Sequence, residues 1–167
     1  AFTRWHSDIH VEADGTVTVK ESITVRVQGD VFKRGITRWI PQTRTDAYGR
    51  ERRIPVQILS VTRDGKDEPY SAEDTSGRLS LRVGQADKML APGLHQYVIA
   101  YATKGHVQHF DDRSEIYWNV TGSDHSVPVE KASAAVRAPE GVEFTASACY
   151  TGRHGSRARD CGVRSKG

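Results

Sequence analysis

The stretch 115–139, EIYWNVTGSDHSVPVEKASAAVRAP, is the part of the chain that decides the fold. It opens with an aromatic and β-branched run at 115–120 and reaches a turn signal, TGSD, at 121–124. Apolar residues then return in near alternation over 127–136. Such side chains suit a pleated, half-buried surface, so we predict two strands joined by a short loop, with Trp118 as the anchor of the core.

Alternating apolar residues also mark the rest of the chain. Asp14-Gly15 lies between two such runs, which is a strong signal for a β-hairpin. Roughly ten short strands with closely spaced turns predict an all-β, antiparallel two-sheet β-sandwich of immunoglobulin-like arrangement. Beyond the hairpin and the stretch above, strand patterns fall at 54–61, 79–83, 94–103 and 142–150, and the segment 43–53 is predicted to be a polar loop.

The chain has 167 residues, a length that suits one domain with two packed layers around a core. We expect a single domain over 1–167, with the core from about 2 to 163 and a basic tail at 164–167. No apolar run approaches the ~18 residues that a membrane helix needs, so we predict no membrane span within it.

Glu21 interrupts the apolar row of the second strand, where a carboxylate is costly without a partner. We expect a structural ion pair with Arg34 or Arg38, in preference to a catalytic acid. The block Arg34-Gly-Ile-Thr-Arg38 has a second interpretation. Paired arginines suit bidentate contacts to carboxylate or phosphate groups, so this block is also our preferred binding surface.

The positive charge is concentrated in two places. The segment 33–53 holds seven basic residues against two acidic ones, and the segment 153–166 holds five against one. Such segments either guide a domain toward anionic lipid or polymer surfaces or keep loops in solution. Within 33–53, Trp39 and Tyr48 complete a candidate binding set with Arg34 and Arg38. No recognised nucleic-acid module accompanies them, so we predict no nucleic-acid partner.

The two cysteines, Cys149 and Cys161, flank the Gly-rich loop TGRHGSRARD. Their spacing suits a disulfide, for which the loop-entropy contribution is about 3 kcal/mol. Two buried thiols are the alternative. Metal binding by so few thiols is not predicted, because structural zinc needs about four ligands.

Candidate residues for chemistry are few. His106, His109 and Asp111 form a weak metal-like cluster in one loop, and His6, Asp8 and His10 share one face of a strand. The chain has no Gly-x-Ser-x-Gly elbow, phosphate loop or dinucleotide fingerprint. We therefore predict no enzymatic activity, no catalytic residue and no cofactor.

Five blocks of sequence resemble one family. They are ADGTVTVKE (13–21), RGITRWIP (34–41), PGLHQY (92–97), FDD (110–112) and EIYWNVTG (115–122). In this order they are similar to the N-terminal domain of a predicted bacterial membrane protein family known as domain of unknown function 2207. His125 departs from the pattern, since similar sequences tend to have Trp near this position.

The resemblance implies a β-sandwich on the extracytoplasmic side, in the periplasm or at the cell exterior, tethered to its own transmembrane segments in the full-length protein. The family has no established enzymatic activity, so the favoured function is a protein-interaction or membrane-associated module with an envelope protein as possible partner. The alternative is carbohydrate or envelope-polymer binding by the rings of Trp5, Trp39 and Tyr48. A metal-dependent hydrolase using His106, His109 and Asp111 is the less favoured third hypothesis.

Overall fold

The computed structural model describes residues 1–166, so Gly167 at the end of the predicted basic tail lies outside the described residues. Within that range the regular structure consists of β-strands. Their bounds are β1 Phe2–Val11, β2 Thr16–Val27, β3 Ile36–Pro41, β4 Thr43–Thr45, β5 Glu51–Arg53, β6 Val56–Arg63, β7 Lys66–Asp67, β8 Tyr70–Thr75, β9 Arg78–Val83, β10 Gly93–Lys104, β11 Val107–His109, β12 Ser114–Ile116 and β13 Ala132–Arg137.

The strands form one large sheet and three smaller ones. The large sheet has six strands in the order β13-β1-β2-β10-β6-β7, and a three-stranded sheet has the order β3-β9-β8. Two further sheets are the pairs β11-β12 and β4-β5. The prediction of an all-β chain with antiparallel sheets is confirmed, whereas the two-sheet sandwich and its immunoglobulin-like arrangement stay predictions.

The β1–β2 hairpin forms where the sequence predicts it. Antiparallel pairing runs from Phe2 opposite Val25 to Val11 opposite Val17, with the turn at Asp14-Gly15. Gly15 has a φ of 84°, which glycine adopts without steric cost. Apolar side chains alternate inward along both strands, as their period of two requires.

One hydrophobic core joins the six-stranded and three-stranded sheets. Its largest fully buried apolar side chains include Tyr97 and Tyr101 of β10, Ile9 of β1 and Ile23 of β2. Leu81 of β9 closes the core from the three-stranded sheet. Burial of this apolar surface is the main stabilising contribution to the fold.

Glu21 is fully buried on the inward row of β2 and meets Arg38 of β3. The Arg38 Nε donates to Glu21 Oε2 at 2.8 Å, and Nη2 donates to Oε1 at 2.7 Å. The Tyr101 hydroxyl donates to the same Oε1 at 3.0 Å. The predicted structural ion pair is therefore confirmed, with Arg38 as the partner and with one sheet bound to the other through it.

Burial and the Glu21 charge together set the pKa values of Arg38 and Tyr101. Burial alone would lower the pKa of Arg38, but the Glu21 carboxylate beside it outweighs burial and raises that pKa above its ordinary value. Burial, reinforced by the Glu21 charge, raises the pKa of Tyr101 well above its ordinary value. The hydroxyl of Tyr101 thus remains a donor to Glu21 over the whole neutral range.

The predicted hairpin within 115–139 is wrong. Ser114–Ile116 pairs with β11, whereas Ala132–Arg137 runs parallel to β1 at the edge of the six-stranded sheet. The later segment instead pairs with the backbone of β1. The Trp5 N–H donates to the Lys131 carbonyl at 2.8 Å, and the Glu130 N–H donates to the Phe2 carbonyl at 2.9 Å. The intervening segment carries Pro128, which has no N–H to contribute to a ladder.

Trp118 is not the anchor of the core. Its side chain is half-buried and packs at the edge of the hydrophobic cluster, where its ring centroid lies 4.6 Å from that of His106. The largest side chains at the centre of the core are instead the two buried tyrosines of β10. This strand lies between β2 and β6 in the six-stranded sheet.

Residues 139–166, here called the disulfide lobe, lack the strand predicted at 142–150. The apolar residues of 142–150 do alternate, but no strand of the described residues pairs with this segment. Cys149 and Cys161 form a disulfide with a Cα–Cα distance of 6.2 Å, which confirms that prediction and excludes the two buried thiols. Inside the loop, Thr151 N donates to the Ala158 carbonyl at 2.8 Å.

Among residues 1–166, none belongs to a helix of the length and apolarity required to cross a lipid bilayer.

Candidate functional site

The segment 43–53 is a β-hairpin, called here the basic hairpin, and the prediction of a polar loop is wrong. Thr43, Arg44 and Thr45 of β4 pair with Arg53, Arg52 and Glu51 of β5. In the four-residue turn between them, Asp46 is the first residue and Gly49, which has a φ of 76°, is the fourth. Asp at the first position and Gly at the fourth are favoured in type I turns, which explains why a polar sequence forms a hairpin here.

Asp46 holds the turn of the basic hairpin in one shape. Its Oδ1 accepts hydrogen bonds from the backbone N–H groups of Tyr48 and Arg50, both at 2.9 Å. Its Oδ2 accepts from the Nε atoms of Arg50 and Arg52, both at 3.0 Å. The bond from the Arg50 N–H, followed by those from the guanidinium groups, holds the pKa of Asp46 well below its ordinary value. The carboxylate is thus charged and engaged at neutral pH.

Tyr48 projects from the tip of this rigid turn. Its side chain is 82% exposed, more than any other large apolar side chain among residues 1–166. The Arg50 guanidinium lies 5.0 Å from the ring centroid, in cation–π contact with it. An exposed tyrosine ring beside a guanidinium group offers contact area of the kind found in protein interfaces, so the arrangement favours contact with a partner.

The base of the basic hairpin rests on the loop that follows β10. Arg44 Nε donates a hydrogen bond to the Gly105 carbonyl. The adjacent His106 packs on Trp118, and its Nε2 lies 3.1 Å from the Thr103 hydroxyl oxygen. Burial, with a further contribution from the Arg44 charge, lowers the pKa of His106 to about 4. The ring is therefore neutral at neutral pH and stabilises the hairpin base as an uncharged group.

The low pKa of His106 predicts a pH dependence of stability. Between pH 6.5 and about 4 the unfolded chain binds a proton that the folded chain does not, so the free energy of unfolding falls as the pH falls through this range. The loss is on the order of 2 kcal/mol after allowance for partial solvent contact. We expect His106→Gln to remove this part of the slope, as measured by chemical denaturation at several pH values.

The exposed His10 offers a matched control, because it lies beside Glu12 on the outer face of β1. His10→Gln should leave the wild-type slope between pH 6.5 and 4 in place. An unchanged slope in His106→Gln would show that folding does not shift the pKa of His106.

The four predicted binding residues are not brought together. Arg34 is exposed just before β3, and Tyr48 lies beyond the other end of that six-residue strand, which spans about 20 Å. Arg38 is buried and engaged by Glu21, so it presents no free guanidinium to a ligand. Trp39 is half-buried, and the Arg78 guanidinium covers its ring at 4.7 Å while also lying 2.8 Å from Asp124.

A small cleft lies between Trp39 and the first strand. Its volume is about 10 Å³, which is room for about one water. Trp5 is 3% exposed, and its indole Nε1 is buried without a hydrogen-bond partner in the described chain. The hypothesis that Trp5 offers its ring to sugars is therefore wrong. The residues that line the cleft are Phe2, Trp5, Thr37, Arg38, Trp39, Thr121, Asp124 and His125.

The candidate metal ligands have other partners. His106 packs on Trp118 as described, and His109 Nδ1 lies 2.8 Å from the Ser114 hydroxyl oxygen. Asp111 is exposed. Among residues 1–166 the structure shows no group of three or more His, Cys, Asp or Glu side chains placed to hold a metal ion. On β1, His6 and Asp8 do share a face, with 3.6 Å between His6 Nε2 and Asp8 Oδ1.

Sequence reasoning missed the residues that shape the basic hairpin, namely Asp46, Arg50 and Arg52. The spacing of Asp46 and Gly49 was the available signal, because it is typical of a tight turn between two strands. The two flanking strands have three residues each, which is too short for an alternating pattern to stand out.

Comparison with known proteins decides the family. Residues 2–162 match the N-terminal domain of the predicted membrane protein family DUF2207. The chain belongs to this family. Membership confirms the resemblance seen in the five sequence blocks. It also indicates that the full-length DUF2207 protein associates with a membrane through its own transmembrane segments.

One curated relative of this DUF2207 domain is the uncharacterized protein YciQ of Escherichia coli strain K12. The two are 27% identical over 152 residues, which is 90% of this chain and 24% of YciQ. The chain thus spans about a quarter of the length of that relative.

Several solved structures are distantly similar to the DUF2207 domain. A two-domain M1 zinc metallopeptidase bound to L-arginine has a TM-score of 0.48 and 10% identity, covering 90% of this chain and 35% of that one. Leukotriene A4 hydrolase from Saccharomyces cerevisiae has a TM-score of 0.40 and 10% identity, covering 60% of this chain and 14% of that one. With TM-scores below 0.5, these likenesses say nothing about the chemistry of the DUF2207 domain.

Proposed function

We propose that this chain is a non-enzymatic β-sandwich domain on the extracytoplasmic side of the membrane, where the basic hairpin contacts an envelope protein. The observation that carries the proposal is the exposed ring of Tyr48 at the tip of the turn, with the Arg50 guanidinium group against one face of it. Tyrosine and arginine are enriched among the residues that dominate protein interfaces. The turn bound to Asp46 gives these side chains one fixed geometry.

The side of the membrane is supported by the disulfide. Disulfides persist in oxidising compartments such as the periplasm and the cell exterior, and they are rare in the cytosol. Cys149 and Cys161 are both exposed or half-buried, so the cytosolic reducing systems would reach this bond. An extracytoplasmic position therefore accounts for the bond better than a cytosolic one.

Envelope-polymer binding is the second candidate, and the exposure of Tyr48 favours it too. Sugars stack on the faces of exposed aromatic rings, and one face of the Tyr48 ring is available opposite Arg50. The two candidates use the same tip of the basic hairpin, so one capture experiment separates them.

We expect Ala47→Cys in the full-length protein, at an exposed turn position beside the intact Tyr48, to react with a membrane-impermeant maleimide in intact cells. The native cysteines of this domain are oxidised and do not react. If the maleimide carries a photo-crosslinker, irradiation should yield one adduct with an envelope protein, detected by a mass shift and identified by mass spectrometry. A polysaccharide adduct would instead favour polymer binding.

Arg34→Cys is the matched control, because Arg34 is also exposed but lies at the other end of β3. It should be labelled from outside without giving the adduct, and the unsubstituted protein should give neither signal. Labelling of Ala47→Cys only after permeabilisation would contradict the extracytoplasmic position. Labelling without any adduct would contradict the interaction role of the hairpin.

A further inference from the structure

The disulfide lobe buries almost none of its surface. From Glu140 to Lys166 every residue is exposed, apart from the half-buried Cys149 and Thr151. Four large apolar side chains are each about half exposed in this short stretch, at Val142, Phe144, Tyr150 and Val163. The lobe therefore presents apolar side chains on a segment that packs against little of the described chain.

The same lobe carries unneutralised positive charge. The lobe holds five basic side chains against three acidic ones, Glu140, Glu143 and Asp160, and all five cations lie between 153 and 166, where Asp160 is the one acidic residue. The ion pairs of residues 1–166 lie in the sheets and their loops, and none of them involves a side chain of the lobe. The five cations are Arg153, Arg157, Arg159, Arg164 and Lys166.

The disulfide brings the cations and the apolar groups together. Tyr150 is adjacent to Cys149 in the chain, and the Arg159 guanidinium lies 5.3 Å from the centroid of its ring. The Thr151–Ala158 bridge closes the loop between the two cysteines. The closed loop therefore presents the Tyr150 ring with the Arg159 guanidinium group against it.

We propose that the disulfide lobe binds the anionic headgroup surface of a lipid bilayer; this deepens the proposed function and rests on its membrane-associated, extracytoplasmic placement. Guanidinium groups bind lipid phosphates through two hydrogen bonds, and each basic residue near an anionic bilayer adds to the attraction. Tyr150 and Phe144 supply the amphipathic and apolar groups that lie at the headgroup level of a membrane.

A bilayer fits this surface better than a folded protein does. The apolar side chains are scattered over an irregular backbone and form no continuous groove into which another protein could pack. A fluid headgroup layer needs no such shape match, and its negative charge complements the five cations of the lobe. The family is a predicted membrane protein family, so a bilayer is an available partner for this domain.

The test is co-sedimentation of the 167-residue chain with vesicles. We expect binding to vesicles that contain phosphatidylglycerol and phosphatidylcholine, and little binding to phosphatidylcholine alone. Binding should weaken as the salt concentration rises, because screening shortens the reach of surface charges. The double variant Arg157→Glu and Arg159→Glu should bind at least about tenfold more weakly.

A charge-matched control is Lys20→Glu with Arg82→Glu, since both side chains are exposed and lie on strands of the sheets. This control should bind as the wild type does. Equal binding to both vesicle types, equal loss in the control, or no vesicle binding at all would overturn the proposal. Cross-linking of the lobe to another protein in the absence of vesicles would also overturn it.

Failure of this inference is distinguishable from failure of the proposed function. The hairpin adduct depends on Tyr48 and is measured in the full-length protein, whereas vesicle binding depends on Arg157 and Arg159. An intact adduct without vesicle binding would overturn only the lipid proposal, and vesicle binding without an adduct would overturn only the interaction role of the hairpin.

Discussion

Arg38→Met is expected to destabilise the domain by about 3–5 kcal/mol, because it leaves the Glu21 carboxylate buried without its partner. Glu21 is fully buried and receives two hydrogen bonds from Arg38 and one from Tyr101. Removal of the guanidinium takes away both the opposite charge and two of these three donors. Chemical denaturation, followed by circular dichroism of the β signal, measures the loss in the free energy of unfolding.

The matched control for this prediction is Arg26→Met, which breaks an exposed pair. The Arg26 Nη1 lies 3.6 Å from Glu130 Oε1, and both side chains are about half exposed. Solvent screens such a pair, so the expected loss is below about 1 kcal/mol. If Arg38→Met cost no more than Arg26→Met, the buried pair would not be a main support between the two sheets.

A combined variant separates the cost of an orphaned charge from the net value of the ion pair. In Glu21→Leu with Arg38→Met and Tyr101→Phe, none of the three side chains keeps an unpaired polar group, and the loss that remains is the bond from Arg38 Nη1 to the Trp39 carbonyl. Apolar replacement of a complete buried ion pair is often neutral, so this variant should regain most of the stability that Arg38→Met loses. In that case the main role of the ion pair would be to fix the relative placement of the two sheets, and its net contribution to the free energy of unfolding would be small.

Local patterns predicted the parts of the fold that local physics determines. The turn at Asp14-Gly15 and the alternation on both sides of it specify β1 and β2 within one short segment. The buried position of Glu21 followed from the same alternation, and its need for a cation followed from the cost of burying charge. Neither conclusion required knowledge of a distant part of the chain.

Long-range pairing was not available to the same reasoning. Ala132 pairs with Trp5, and the intervening chain contains most of both sheets, so nothing in the segment 132–137 by itself specifies the parallel register on β1. The hairpin predicted within 115–139 failed for this reason. The exposed surfaces were also hard to assign, because the sequence places Trp39 and Tyr48 in the same basic segment. Only the structure shows one ring covered by Arg78 and the other in solvent.

Gly35→Ala is expected to cost about 3–5 kcal/mol or to prevent folding, since it combines backbone strain with a collision. Gly35 has a φ of 116°, and a Cβ atom there would lie 1.9 Å from the Val83 carbonyl oxygen. The opposing Gly84 has the same restriction, as its Cβ would lie 2.4 Å from the Arg34 carbonyl oxygen. Both obstacles are backbone atoms, so no rotation of a side chain relieves them.

Gly15→Ala isolates the collision, because Gly15 has a φ of 84° but no atom lies within 4 Å of the added Cβ. That control should lose only the backbone strain, about 1–2 kcal/mol. Thermal and chemical unfolding of both variants measure the difference. An equal loss in the two would show that β3 and β9 separate easily at this end. A larger loss in Gly35→Ala would show that the close approach of Gly35 and Gly84 is required for Ile36 to pair with Val83. The same pairing of β3 with β9 places Arg38 beside Glu21.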